Sequence, residues 1–152
     1  MIIRVGEPGD DPLLIKHYLA LWESYGTPSE DYSLDAECSI QSFLDEGRWR
    51  LGLATFIAEV DGAVAGTSSC QLQVSPYPNV IKPELRKLGY IWHVFVLPEF
   101  KRRGLGRALT QAAIDHLRTM GCTTAVLNAS DAGEPLYASI GFERGKEMRL
   151  KL

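Results

Sequence analysis

Apolar positions in the first third of the chain recur twice at helical spacing. Leu14, His17, Tyr18, Leu21 and Trp22 share one face of a helix. Asp10 and Asp11 ahead of Pro12 supply an N-cap and a first-turn proline, and Gly26, Thr27 and Pro28 stop it. After a loop holding Glu30, Asp31 and Tyr32, a second helix is predicted from near Ser33, carrying Ile40, Phe43 and Leu44 inward and ending around Gly47. Strand signals flank this pair. Ile2 to Val5 reads as a short opening strand. Thr55 to Val60 and Ala63 to Leu72 are β-rich runs joined by Asp61-Gly62, a two-residue hairpin turn.

Ser75 to Lys87, with Pro76, Pro78 and Pro83, reads as an irregular crossing with a short helical turn at Glu84 to Lys87. Tyr90 to Leu97 is an aromatic and β-branched strand ended by Pro98. Leu105, Leu109, Ala112, Ala113 and Leu117 mark a third helix, with Gly121 as its C-cap. Thr123 to Leu127 reads as a buried strand, Pro135 to Ser139 as a short helix stopped by Gly141, and Lys146 to Leu152 alternates as a final strand. The expected order is strand, two helices, three strands, helix, strand, helix, strand: a mixed α/β chain with one layer of sheet.

Composition narrows the function classes. A chain of 152 residues, 45% hydrophobic and 23% charged, fits one soluble domain spanning residues 1–152. Its net charge of −3 argues against a nucleic-acid partner. Cys38, Cys70 and Cys122 are odd in number and lack metal-ligand spacing, so the sequence supports neither a disulfide framework nor a metal site. The opening Met1-Ile-Ile-Arg-Val-Gly-Glu does not read as a signal peptide, and no window approaches the ~20 apolar residues of a membrane span. A cytoplasmic location with no membrane partner is expected.

The candidate chemistry lies in Val94-Phe-Val-Leu-Pro-Glu-Phe-Lys-Arg-Arg-Gly-Leu-Gly-Arg-Ala-Leu109. A strand stops at a proline, and a turn with Gly104 and Gly106 opens directly into a helix. The first turn of a helix presents unpaired N–H groups at the positive end of the macrodipole. Glycines there let an anion approach the backbone closely. Lys101, Arg102, Arg103 and Arg107 surround the same turn, although cations at a helix start oppose its dipole. An anion would explain them; a surface charge run beside a tight turn is the plainer reading. The P-loop and dinucleotide patterns both fail, for want of Gly-Lys-Ser/Thr and of a third glycine at Leu109.

These residues resemble the signature of the GNAT superfamily of acyl-CoA-dependent N-acetyltransferases, a Gln/Arg-x-x-Gly-x-Gly/Ala turn after a strand ending in Val-x-Pro. Lys101 stands at the Gln/Arg position, a mild departure. A second block, Leu127-Asn-Ala-Ser-Asp-Ala-Gly-Glu-Pro-Leu-Tyr-Ala-Ser-Ile-Gly-Phe142, resembles the family's later Asn, Leu-Tyr and Gly-Phe features. The resemblance covers the whole chain. It implies an α+β fold with a mixed, mostly antiparallel sheet of six to seven strands, splayed central parallel strands and about four helices.

It also implies acetyl-CoA as cosubstrate, with no metal. The pantetheine would run along Val94, Phe95 and Val96, and the pyrophosphate would sit on the main chain around Arg102, Arg103, Gly104, Leu105, Gly106 and Arg107, beside Lys101. A backbone N–H near Phe95 would be the oxyanion donor. Asn128 would bond the pantetheine, and Tyr137, with an ordinary pKa of ~10, would be the general acid. For the base, relatives often carry a carboxylate where this chain reads Tyr90-Ile-Trp-His-Val, so His93 is the candidate, with a packed core histidine as the alternative. Glu59 and a water chain are further alternatives.

On the acceptor side, Trp22, Glu23, Tyr25, Glu30, Asp31, Tyr32, Tyr77 and Asn79 would suit a cationic amine, or form a solvated face. The expected acceptor is a primary amine of a small molecule, peptide or protein, and a homodimer is a fair expectation for the family. Two competing readings are a non-catalytic acyl-CoA-binding domain and a nucleotide-phosphate binder.

Overall fold

A computed structural model describes residues 1–152. In chain order the elements are β1 (Ile2–Val5), α1 (Asp11–Ser24), α2 (Ala36–Arg50), β2 (Ala54–Val60), β3 (Ala63–Leu72), β4 (Leu88–Val96), α3 (Leu105–Thr119), β5 (Thr124–Val126) and α4 (Glu134–Ile140). The five strands form one sheet in the order β1-β2-β3-β4-β5, antiparallel except for the parallel pair β4–β5. Asp61 and Gly62 both take positive φ (52° and 81°), the two left-handed centres of a type I′ hairpin turn.

Helices cover both faces of the sheet. On one face α3 lays Leu105, Leu109, Ala113 and Leu117 against Phe56, Ala58, Ala65, Cys70 and Ile91. On the other, Leu14 of α1 with Ile40 and Leu44 of α2 gathers Tyr18, Leu53 and Trp92. Asp11, 3% exposed, receives Arg48 and Gln41 from α2 and ties the two helices together. No helix is long and apolar enough to cross a membrane.

The sheet falls short of the six to seven strands expected, because Lys146 to Leu152 pairs with nothing. Met148, Leu150 and Leu152 are 94, 84 and 110% exposed. Alternation specifies a strand only where a neighbouring edge accepts its hydrogen bonds, and β5 offers three residues rather than the five expected at Thr123 to Leu127. Arg149 bonds instead to Glu147 and to Asn128.

Smaller differences have similar causes. Asp10 gives its carboxylate to Arg4 (2.8 and 2.9 Å) instead of capping α1. α2 starts later than Ser33 and continues past Gly47 to Arg50. Phe43 and Trp22 are 48 and 43% exposed, at the margins of their apolar faces. The short helical turn expected at Glu84 to Lys87 lies slightly earlier, closed by the N–H groups of Leu85 and Arg86 on the Lys82 carbonyl.

Candidate active site

β4 and β5 pair only from Leu88↔Thr124 to Tyr90↔Val126 and then part. From there β4 has a partner on one side alone. The Leu97 N–H donates to the Ala65 carbonyl at 2.9 Å, and Gly66↔Val96 and Thr67↔Phe95 continue the antiparallel register. Main-chain direction alternates along a strand. Phe95 and Leu97 therefore face β3, while the N–H and C=O groups of Val94 and Val96 face the gap. The Phe95 N–H, near which an oxyanion donor is expected, thus faces β3 and not the gap, and the Phe95 side chain is 9% exposed in the layer under α1.

The strand leads straight into the glycine turn. Arg102 (φ 65°) and Gly104 (φ 79°) are left-handed, which folds the chain back so that α3 begins at Leu105. Gly104 offers no side-chain cap, and the first intrahelical bond there is Ala108 N–H to Gly104 C=O at 3.1 Å. The N–H groups of Leu105, Gly106 and Arg107 consequently lack helical partners. Leu105 contributes main chain only, since its side chain is 1% exposed in the core. Lys101, Arg102 and Arg103 are exposed, and Arg103 lies over the Phe100 ring at 5.4 Å. Arg107 is otherwise engaged: its guanidinium donates to the Ser139 hydroxyl on α4 at 2.7 Å.

That contact seats α4 on the start of α3. A Cβ at Gly106 would stand 3.0 Å from Leu136, so the helices approach through the glycine. Tyr137, the next residue, is half-buried and edge-on to Phe142 at 5.9 Å. Burial, with the neighbouring Tyr25 phenol, pushes its pKa up to about 12. The spacing of Tyr18 and Trp22 on α1 with Tyr25 just past its end is the one sequence signal for that neighbour; their rings stack edge-to-face at 6.4 and 5.9 Å. Asn128 lies exposed beyond β5, its carbonyl oxygen accepting from Arg149 at 3.3 Å.

His93 occupies a β-bulge. Between Thr67↔Phe95 and Ser69↔Trp92, β4 carries one residue more than β3, and His93 takes a left-handed φ of 58°. The bulge turns Trp92 and His93 toward the same side, where both rings lie within 6 Å of Tyr18. His93 is 4% exposed, and its Nε2 lies 3.2 Å from the Thr67 hydroxyl, which is also 3.1 Å from Nδ1 of the buried His17. Burial, reinforced by His17, lowers the His93 pKa to about 3. Burial also lowers that of His17, with Lys16 adding to the effect. Neither Thr67 nor His17 carries a sequence signal; a Thr-Ser-Ser run in a strand and a histidine on a helix face are ordinary. Glu59 pairs with Arg4 at 2.7 Å toward the β1 edge, two strands from β4.

Comparison with known proteins agrees with this geometry. The model of the acetyltransferase (GNAT) family matches residues 15–142. Glucosamine 6-phosphate N-acetyltransferase of Trypanosoma brucei brucei is 32% identical over 108 residues, 69% of this chain and 70% of that protein. An N-alpha-acetyltransferase of Sulfurisphaera tokodaii is 31% identical over 63% of this chain and 60% of its own length. Among solved structures, a GCN5-related N-acetyltransferase from Ralstonia eutropha JMP134 superposes with a TM-score of 0.84 at 25% identity, covering 99% of this chain and 97% of that one. A predicted acetyltransferase from Clostridium acetobutylicum, solved with acetyl-CoA, gives a TM-score of 0.82 at 20% identity over 99% and 94% of the two chains. With a family model covering most of its length, and with the open β4 edge and uncapped α3 start in place, this chain belongs to the GNAT family of acetyl-CoA-dependent N-acetyltransferases.

Proposed function

We propose that this protein transfers the acetyl group of acetyl-CoA to a positively charged primary amine by direct attack, with both substrates bound together. The observation that carries this reading is the continuity of two open main-chain surfaces: the β4 edge at Val94 and Val96, and the uncapped α3 start at Leu105, Gly106 and Arg107. One suits the amides of a pantetheine arm, the other a pyrophosphate. Lys101, Arg102 and Arg103 add charge around the phosphates, while Arg107 holds α4 in place.

Chemically, the neutral amine attacks the thioester carbonyl, forming the C–N bond, and the C–S bond then breaks. An open N–H of Val94 or Val96 stabilises the oxyanion. Tyr137 delivers a proton to the departing thiolate; with its pKa near 12 it is fully protonated at neutral pH. His93 is reassigned from base to structural support, since a pKa of about 3 makes it a poor proton acceptor. Water removes one proton from the bound ammonium before attack, and the second proton, lost from nitrogen as the C–S bond breaks, returns through water to the Tyr137 phenolate. Asn128 stays in the proposal as a pantetheine contact, reached once Arg149 releases it.

Charge supports a cationic acceptor. Between Lys16 and Arg48 the chain has no lysine or arginine, yet it carries Glu23, Glu30, Asp31, Asp35 and Glu37, beside Asp45 and Glu46, which pair with Arg48 and Arg50. This stretch supplies α1, α2 and their loop, along with the Tyr18–Trp22–Tyr25 aromatic ladder that reaches toward Tyr137. A phosphorylated amino sugar, the acceptor named for the trypanosomal relative, would meet repulsion there. The test is thiol release with acetyl-CoA and a panel of polyamines, peptide N-termini, lysine peptides and glucosamine 6-phosphate. Turnover with the cations and loss of it in Tyr137→Phe is the expected result. Activity with glucosamine 6-phosphate alone would overturn the charge argument, and an undiminished Tyr137→Phe would remove Tyr137 as the acid.

A further inference from the structure

The proposed mechanism leaves unused the buried hydroxyl that joins two histidines from different elements. Thr67 of β3 is fully buried, and His17 of α1 and His93 of β4 are 3 and 4% exposed. The Thr67 oxygen lies 3.1 Å from His17 Nδ1 and 3.2 Å from His93 Nε2. A threonine hydroxyl has a single proton. It donates to one imidazole and accepts an N–H from the other, so the two facing nitrogens, His17 Nδ1 and His93 Nε2, are in opposite protonation states and the two neutral rings share one tautomer.

The position of this chain in the fold gives it a consequence. His93 is the left-handed residue of the β4 bulge, a conformation that a side chain with a Cβ rarely adopts without support. The extra residue there decides which way Val94 and Val96 face. Without it the alternation of β4 would invert, and the open N–H groups would turn toward β3. Thr67 is also the register partner of Phe95, and the Phe95 ring packs on His17 at 5.1 Å. The Thr67 hydroxyl therefore holds the bulged residue through its ring, while the Thr67 main chain pairs with Phe95 two residues further along β4.

We propose that Thr67 is a positioning residue for acetyl transfer: by bridging His17 and His93 it fixes the β4 bulge and so aims the Val94–Val96 edge at the thioester. It touches neither substrate. The inference rests on the acetyl-CoA reading of the β4–β5 gap given above.

Two measurements test it. The first is on the unaltered protein: the ring nitrogen shifts of His17 and His93 at pH 7 report which atoms carry protons. One of the two facing atoms, His17 Nδ1 or His93 Nε2, is expected to be protonated and the other not; both or neither protonated would overturn the bridge. The second compares Thr67→Val with Thr67→Ser in acetyl transfer. A misaimed reacting edge costs about tenfold to a hundredfold in kcat, while KM for acetyl-CoA changes little because its phosphates stay on the Gly104 turn. Thr67→Ser, which restores the hydroxyl, is expected to recover most of that loss. Equal kcat in Thr67→Val and the unaltered protein, or an equal loss in both variants, would refute the positioning role. An unaltered protein that neither binds acetyl-CoA nor releases thiol would instead bring down the functional reading, and the positioning role with it. If Thr67→Val does not fold, the tautomer measurement and Thr67→Ser decide the question.

Discussion

Arg107 on α3 and Ser139 on α4 are joined by a 2.7 Å hydrogen bond that fastens the helix bearing Tyr137 to the first turn of the helix bearing the glycine motif. The two sequence blocks that resemble the family thus become one site through a cation that an isolated reading assigns to the anion. Ser139→Ala should cost under about 1 kcal/mol of stability, because the contact is exposed. A few-fold fall in kcat with KM for acetyl-CoA unchanged is expected, and steady-state kinetics beside a melting curve check it. A large rise in that KM would mean that Arg107 serves the phosphates after all.

Tyr137→Phe should lower kcat by about 10²-fold or more while acetyl-CoA binding, read by calorimetry, is retained. Its raised pKa of about 12 adds a pH signature. The acid stays protonated up to that range, so kcat should show no loss from Tyr137 deprotonation below about pH 10.

The two buried histidines set an acid limit on stability. In the unfolded chain both titrate near the ordinary value of about 6.5, whereas burial holds folded His93 near 3 and lowers His17 as well. Below about pH 6.5 the unfolded state therefore binds more protons, and stability must fall as the pH drops from about 6.5 toward 3. Denaturant melts at pH 7.5, 6 and 5 should show the midpoint falling. In His93→Gln the slope over that window should be shallower.

Gly66 lets β3 and β4 meet beside the open edge. A Cβ there would stand 2.5 Å from the Phe95 carbonyl oxygen and 3.2 Å from Leu109. Backbone cannot give way as a side-chain tip can, so Gly66→Ala should destabilise by about 1–3 kcal/mol. It should also reduce kcat, because Phe95 lies between Val94 and Val96. Chemical denaturation and kinetics on the same sample check both.

Arg48→Ala should be among the most damaging single changes outside the site. It leaves the Asp11 carboxylate, 3% exposed, without its guanidinium partner. Burial alone would raise the Asp11 pKa, and the Arg48 and Gln41 bonds outweigh it and lower it. Removing one partner of a buried pair costs about 3–5 kcal/mol. A lower melting temperature that partly recovers in Arg48→Ala/Asp11→Asn would confirm the coupling.

The order of the elements up to α4 and the glycine-turn segment proposed for the cofactor are legible in the sequence. The period of the apolar residues in α3, the Asp61-Gly62 turn, and the proline and glycines bracketing Val94 to Leu109 act through backbone geometry within a few residues, so they can be read without knowing what packs where. The tertiary structure alone decided the rest. Lys146 to Leu152 alternates like a strand but has no edge to join. His93 looks like a titratable base until α1 and β3 bury it and hold its ring. The Arg107 guanidinium looks unengaged until α4 brings the Ser139 hydroxyl to it. Strand pairing, desolvation and hydrogen-bond partners are all supplied by residues distant in the chain, and nothing in the local sequence at these three places specifies them.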